Sequence, residues 1–255
     1  MIRYEVSDGR ATITIDDAPR RNPMSVETMK GLLDAARRGI ADPDVRVLVF
    51  TGAGDRAFSA GGDLSAGFVD DPIGLHRDRG GIAELFRVMR RGGKPTVARV
   101  NGHALAGGFG LAVACDVTVV VEDAKLGVSE INVGLWPMMI TAVIAGGVSR
   151  KAALELMMTG RLITPEEGVR IGAVSRVVPA EQLDAAVDEI VAALASKSPA
   201  TMQLGRDAFY AVADLGFDAA LDRLQGGLTA IAATRDAREG VEAFIEKRRP
   251  IWSGR

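Results

Sequence analysis

Between Tyr4 and Ile15 the chain alternates, with Ala11, Ile13 and Ile15 separated by Thr12 and Thr14. A period of two predicts a strand with one buried face, and Asp8-Gly9 supplies a turn, so the segment reads as a hairpin. After Ser25 the period changes. Met29, Leu32, Leu33, Ala36 and Ile40 form a 3.6-residue stripe behind a residue suited to cap it, which predicts a helix. The nearly continuous apolar run 45–50 reads as a strand buried on both faces, and 95–100 and 117–121 repeat that pattern. A helix is predicted at 82–89 and a small-residue helix at 105–114. Residues 64–81 hold Asp70, Asp71, Pro72, His76, Arg77, Asp78, Arg79 and four glycines without a period, and predict a mobile surface segment able to act as a lid.

The second half turns helical. Ser149 is placed to cap a helix at 150–158. Thr164-Pro165-Glu166-Glu167 combines a capping Thr, Pro at the first helical position and Glu three residues after the cap. A strand at 174–178 precedes Pro179, and helices follow over 180–196, 199–213, 217–232 and 236–248. Strands with crossover helices come first and helices last. The prediction is an α/β core over 1–198 and a helical region over 199–255, with no low-complexity linker and no repeat at solenoid periods.

Composition narrows the function. The 255 residues are 47% apolar and 25% charged, ordinary for a globular chain and not for a disordered one. With 31 Lys+Arg against 33 Asp+Glu and no long basic run, nothing suggests a nucleic-acid footprint. The single cysteine, Cys115, excludes an internal disulfide and lies in an apolar stretch, as a buried inert thiol does. The first residues lack the apolar core of a signal peptide, so a reducing, cytoplasmic setting is expected. Residues 131–149 carry no charge over nearly a spanning length, but Asn132, Pro137 and several small residues interrupt them. A buried loop and helix are expected there, not a membrane span.

Two glycine-rich segments stand out: AFSAGGDL (57–64) and NGHALAGGFGLAVACD (101–116). Each follows a predicted strand, and the second enters a helix. Glycines there either permit close helix–strand packing or let a ligand approach backbone N–H groups, which a helix N-terminus supplements with unpaired donors. Spacing alone leaves both readings open. Neither loop carries G-x-G-x-x-G, and no P-loop motif occurs.

These segments resemble the paired oxyanion-hole loops of the crotonase (enoyl-CoA hydratase/isomerase) superfamily. LGVSEINVGLWP (126–137) resembles its catalytic-glutamate segment, and MMTGRLITPEEGVRIGAVSRVVP (157–179) and EGVEAFIEKRRPIW (239–252) resemble its later segments. The motifs follow in order over nearly the whole chain. The resemblance implies a spiral of repeated ββα units with a C-terminal helical region that forms homotrimers, which can pair into hexamers.

It also implies a site. The backbone N–H groups of Gly62 and Gly107 would hold an acyl-CoA thioester carbonyl and stabilise its enolate. Ala60, Gly61, Asp63, Leu64, Gly108 and Gly110 would frame them. Glu130 would be the catalytic carboxylate; from the sequence alone it is equally a helix-capping or salt-bridged residue. The position of a second hydratase glutamate, three residues after Gly107, is Gly110. One carboxylate suffices to move a proton between the α and γ carbons, so Δ3,Δ2-enoyl-CoA isomerase-like chemistry is favoured. The alternatives are an enoyl-CoA hydratase and a non-catalytic acyl-CoA-binding oligomer. Asp70, Asp71 and Glu84 are either substitute acids or solvated surface groups. Met138 stands where a dienoyl-CoA isomerase would carry its acid, which disfavours that activity. Trp136, Met138 and Met139 would line the acyl pocket or pack in the core. Arg20 and Arg21 would face the CoA phosphates, and Phe244 and Lys247 a neighbouring subunit's ligand. Asp63 and Asp116 would support the loops, and His103 reads as a packed structural histidine. The implied partner is an acyl-CoA thioester, with no metal, redox cofactor, nucleic acid or membrane; coenzyme A is part of the substrate.

Overall fold

The computed structural model describes residues 1–63 and 73–255. Strands β1 (Ile2–Ser7) and β2 (Arg10–Ile15) pair as the expected hairpin, with Asp8 and Gly9 left-handed at the turn. Helix α1 (Val26–Ala41) starts where Ser25 Oγ accepts the Thr28 N–H at 3.1 Å, and it buries Met29, Leu32, Leu33 and Ala36. The chain then repeats one plan three times. β3 (Val47–Gly52) and β4 (Ala57–Ser59) precede α2 (Gly74–Arg91). β5 (Thr96–Val100) and β6 (His103–Leu105) precede α3 (Gly107–Ala114). β7 (Val117–Val121) and β8 (Leu126–Gly127) lead through a 3-10 turn at Glu130–Val133 into α4 (Met138–Gly147). The remainder is α5 (Arg150–Thr159), β9 (Leu162–Ile163), α6 (Pro165–Ile171), β10 (Arg176–Val178) and α7 to α10 (Leu183–Ala195, Pro199–Val212, Phe217–Ala232, Arg235–Ile245).

The first strand of each repeat enters a six-stranded sheet ordered β1-β2-β3-β5-β7-β10, and the second enters a four-stranded sheet ordered β4-β6-β8-β9. Among the described residues, only β1 with β2 and β8 with β9 pair antiparallel. The chain therefore climbs as a spiral of ββα turns, the architecture the resemblance implied. Every residue of β3 is buried, as its apolar run requires.

Several local expectations change. The helix predicted at 82–89 begins at Gly74, inside the segment read as unpatterned. Its buried positions Ile82, Leu85 and Met89 belong to the core, and packing against α1 stabilises a helix whose Gly80-Gly81 pair weakens it locally. The helix predicted from residue 105 begins at Gly107, because His103–Leu105 pairs as β6. Ser149 occupies the cap position of α5, but its side chain makes no capping bond. The strand at 174–178 shortens to Arg176–Val178, since Gly168 O at the end of α6 accepts the Ala173 and Val174 N–H groups.

Helix α8 is fastened to the core through Asp116. Its Oδ2 accepts the Thr96 N–H and Oγ1 at 2.7 and 2.8 Å, and its Oδ1 accepts Arg206 Nη2 at 2.9 Å and the Tyr210 hydroxyl at 2.7 Å. Asp116 thus braces the helical region rather than the glycine loop. Burial first, and then the bond to Asp116, push the Tyr210 phenol up to about 12.

The C-terminal tail is held by Asp236, which is 1% exposed. Its carboxylate accepts Ser198 Oγ at 2.6 Å, the Ser253 N–H at 2.7 Å, Ser253 Oγ at 2.8 Å and the Gly254 N–H at 3.1 Å. Burial opposes the charge, but those donors outweigh it and hold the carboxyl below its ordinary 3.8. A depressed value means stability that is present above the ordinary carboxylate range and lost as pH falls through the depressed one. Asp236→Ala is expected to lower unfolding free energy by about 3 kcal/mol at neutral pH. Urea titrations across pH check this; equal stability of the two proteins at pH 7 would contradict it.

Candidate functional site

Strands β4, β6 and β8 are parallel neighbours, so the chain leaves all three at the same edge of the small sheet. Adjacent strands lie about 4.8 Å apart. The residues that follow each strand, 60–63, 106–108 and 128–130, are therefore delivered side by side. These are the two glycine loops and the glutamate segment.

The first loop is held by the segment after β2. Asn22 is fully buried, with Nδ2 donating to Ala57 O at 2.7 Å and Ala53 O at 2.9 Å, and Oδ1 accepting the Asp17 N–H at 3.0 Å. Ala60 N–H donates to Arg21 O at 2.9 Å, Met24 N–H to Gly61 O at 2.8 Å, and Gly61 N–H to Ser59 Oγ at 3.2 Å. The second loop is tied to β8 by Ala106 N–H donating to Gly127 O at 2.8 Å. Among the described residues, neither Gly62 N–H nor Gly107 N–H meets an acceptor. Gly107 opens α3, where the helix end adds positive potential.

The loops press on each other at glycines. Gly61 has φ +89°, and a Cβ there would lie 2.6 Å from Ala106 Cβ and 2.8 Å from Leu105 O. A Cβ at Gly108 would lie 2.6 Å from Ser59 O. Ala106 is itself strained, at φ +49° and ψ −125°. Relief of about 1–3 kcal/mol of strain, less the entropy glycine adds to the unfolded chain, leaves Ala106→Gly about 1 kcal/mol more stable. Denaturant titration tests this, and a less stable variant would show that the Ala106 methyl is needed against Gly61.

Glu130 begins the 3-10 turn, which Leu135 N–H closes by donating to Glu130 O at 3.1 Å. Its side chain is half-buried, and Oε2 is buried without a hydrogen-bond partner. Burial raises the carboxyl above its ordinary 4.5, while a bond from its own backbone N–H works in the other direction. Ser129, not Glu130, takes the N-cap position, and no ion pair holds Glu130 among the described residues. A carboxylate in this condition is free to take and return a proton.

Other expected site residues are placed differently. Arg20 is exposed and committed to acids, donating to Asp17 at 2.8 Å and to Asp63 at 3.2 Å. Arg21 is exposed in the left-handed region and offers its carbonyl to the first loop. Glu84 is ion-paired with Arg37 at 3.2 Å and Arg87 at 3.3 Å, so it is no spare acid. Leu64, Asp70 and Asp71 lie outside the described residues. His103 is exposed rather than packed, and its Nδ1 accepts the Lys125 N–H at 3.0 Å. Met138 is 73% and Phe244 84% exposed, and both line an open cleft of about 2490 Å³ between α2–α4 and the C-terminal helices. Glu130, Gly62 and Gly107 do not line that cleft. Trp136 is 38% exposed before α4, and Lys247 is exposed just past α10.

The sequence reading missed Met24. It is buried, it bridges to Gly62, and its sulfur lies 3.2 Å from where a Cβ of Gly107 would be. Nothing local signals that role, because it depends on two loops distant in sequence. Asn22 carries a fainter signal, as Asn is among the residues that tolerate its left-handed φ of +55°.

Comparison with known proteins bears on the family and the fold. A family model described as enoyl-CoA hydratase/isomerase matches residues 5–255. The carnitinyl-CoA dehydratase of Salmonella typhimurium is 32% identical over 250 residues, covering 94% of this chain and 93% of that protein. The crystal structure of an enoyl-CoA hydratase from Mycobacterium smegmatis superposes with a TM-score of 0.93 at 29% identity, covering 98% of each chain. That of an enoyl-CoA hydratase from Bacillus anthracis gives 0.94 at 27% identity, over 100% of this chain and 99% of the other.

Proposed function

Because the chain belongs to the enoyl-CoA hydratase/isomerase family, we propose that it shifts the double bond of an enoyl-CoA thioester, with Glu130 as the proton carrier. The observation that carries this reading is Glu130 Oε2. It is the one buried carboxylate oxygen without a partner among the described residues, and the companion position on α3 is Gly110.

The step balances without any added reactant. The thioester carbonyl accepts the N–H groups of Gly62 and Gly107. Glu130 takes a proton from the α carbon of a 3-enoyl thioester, and the electron pair delocalises onto the carbonyl oxygen as a dienolate, where the two donors stabilise it. Protonated Glu130 then delivers that proton to the γ carbon, the double bond settles between α and β, and the carboxylate is restored. No oxidant, reductant or metal enters.

Water addition is the second reading, favoured by the hydratase and dehydratase names of the relatives. It needs a further group to accept the proton of water, which Gly110 does not supply. Self-association belongs to the same proposal. Leu228, Val241, Phe244 and Ile245 leave a large apolar face uncovered on α9 and α10, suited to further copies in a trimer or hexamer. Among the described residues no helix is long and apolar enough to cross a membrane.

The test is a paired assay on purified protein. Trans-3-hexenoyl-CoA is expected to gain conjugated enoyl-thioester absorbance, while crotonyl-CoA keeps its own. Loss of crotonyl-CoA absorbance faster than isomerisation would establish the hydratase reading instead.

A further inference from the structure

We propose that Ile140 is a specificity-determining residue: its side chain fills the place beside Gly110 from which a second polar group would act, and so keeps water out of the reaction. This rests on the isomerase reading above.

Gly107 and Gly110 are three residues apart on α3 and share a face of that helix. Position 110 therefore lies one turn beyond Gly107 on the same side of α3. A Cβ at 110 would lie 2.2 Å from Ile140 Cγ2 and 2.6 Å from Ile140 Cβ. Ile140 stands in the first turn of α4, which packs on α3, and it is 3% exposed. No side chain of any kind fits at 110 while Ile140 is there.

The surroundings are equally poor in polar groups. The first turn of α3, Gly107-Gly108-Phe109-Gly110, carries no polar side chain, and neither do Met138, Met139 and Ile140 at the start of α4. Thr141 is already engaged, donating to Pro137 O at 2.7 Å with Met157 Sδ at 3.4 Å. Among the described residues, the side chains at these two helix starts offer no group to orient a water or accept its proton. Glu130 then returns the proton to the dienolate, and the outcome is a shifted double bond. Glycine at 110 and isoleucine at 140 act as one unit.

The test compares Gly110→Glu with Gly110→Glu/Ile140→Gly, assaying hydration of crotonyl-CoA and isomerisation of trans-3-hexenoyl-CoA. Glycine is needed at 140 because the Ile140 Cβ is itself too close. The single variant is expected to show no gain in hydration. The double variant is expected to raise the ratio of hydration to isomerisation at least ten-fold over wild type. An equal gain in Gly110→Glu alone would overturn the proposal, as would a folded double variant whose ratio is unchanged. Should the double variant not accumulate, thermal melts of Gly110→Ala decide. The alanine is expected to lower Tm by several degrees beside Ile140 and by less than half as much in the Ile140→Gly background; equal drops would overturn it. Hydration by the wild type would instead refute the isomerase reading, a separate result.

Discussion

Glu130→Gln is expected to lower kcat for double-bond migration by about 10³-fold while the chain stays folded. The amide keeps the shape of the carboxylate but cannot carry a proton from the α to the γ carbon. Both proton transfers pass through this group, so the loss falls on kcat, and a factor of that size corresponds to about 4 kcal/mol of barrier. Residual turnover above a tenth of wild type would remove Glu130 from the proposed role. The pH profile gives an independent check. The base form must be ionised, and burial raises its carboxyl above 4.5, so the acid limb should lie above the ordinary glutamate range. The linkage runs opposite to that of Asp236. A raised value in the fold means stability that is full at low pH and lost as pH rises through that value. At neutral pH the ionised Glu130 is therefore a destabilising group, and Glu130→Gln is expected to melt higher than wild type. A gain in Tm with a loss of turnover is a pattern that a merely structural glutamate would not give.

Gly108→Ala is expected to lower kcat/KM by about 10²-fold, the scale of losing one oxyanion donor, and to lower Tm as well. Helix propensity argues the other way, since Ala in place of Gly inside a helix gains about 1 kcal/mol. The close approach decides the sign. The new Cβ would sit 2.6 Å from Ser59 O and 2.7 Å from Ser59 Cβ, and a strand carbonyl cannot swing aside as a side-chain tip can. The loops must part. Ser59 Oγ also accepts the Gly61 N–H, so moving Ser59 displaces the loop that carries Gly62. By contrast, a Cβ at Gly205 on α8 meets nothing within 4 Å, and the same exchange there should raise stability. Full activity in Gly108→Ala would mean that the two loops do not act together.

Much of this molecule was legible before any coordinates. The hairpin followed from alternation around Asp8-Gly9, α1 from its stripe and the Ser25 cap, and α6 from its capping Thr and N1 proline, with Thr164 Oγ1 accepting the Glu167 N–H at 3.3 Å. Each is settled within a dozen residues by local turns, caps and a repeating apolar face. The strands β4, β6 and β9 were not legible as strands. They have three, three and two residues, too few to show a period, and exist because the spiral lays them side by side. The N-terminal half of α2 was also missed, because its helicity depends on packing against α1.

The sequence by itself determined the α/β-then-helical order, the two glycine loops, the glutamate between them and α4, and the glycine at position 110. Those are properties of residue type and spacing along one chain. Only the tertiary structure decided that the three segments leave one sheet edge together, that Glu130 keeps a buried oxygen unpaired, that Arg20 is already bound to Asp17 and Asp63, and that Ile140 closes the space beside Gly110. The physical reason is common to all four. Desolvation, ion pairing and steric exclusion depend on which distant groups come within a few ångströms, and that proximity is produced by the winding of the spiral rather than by any local run of residues.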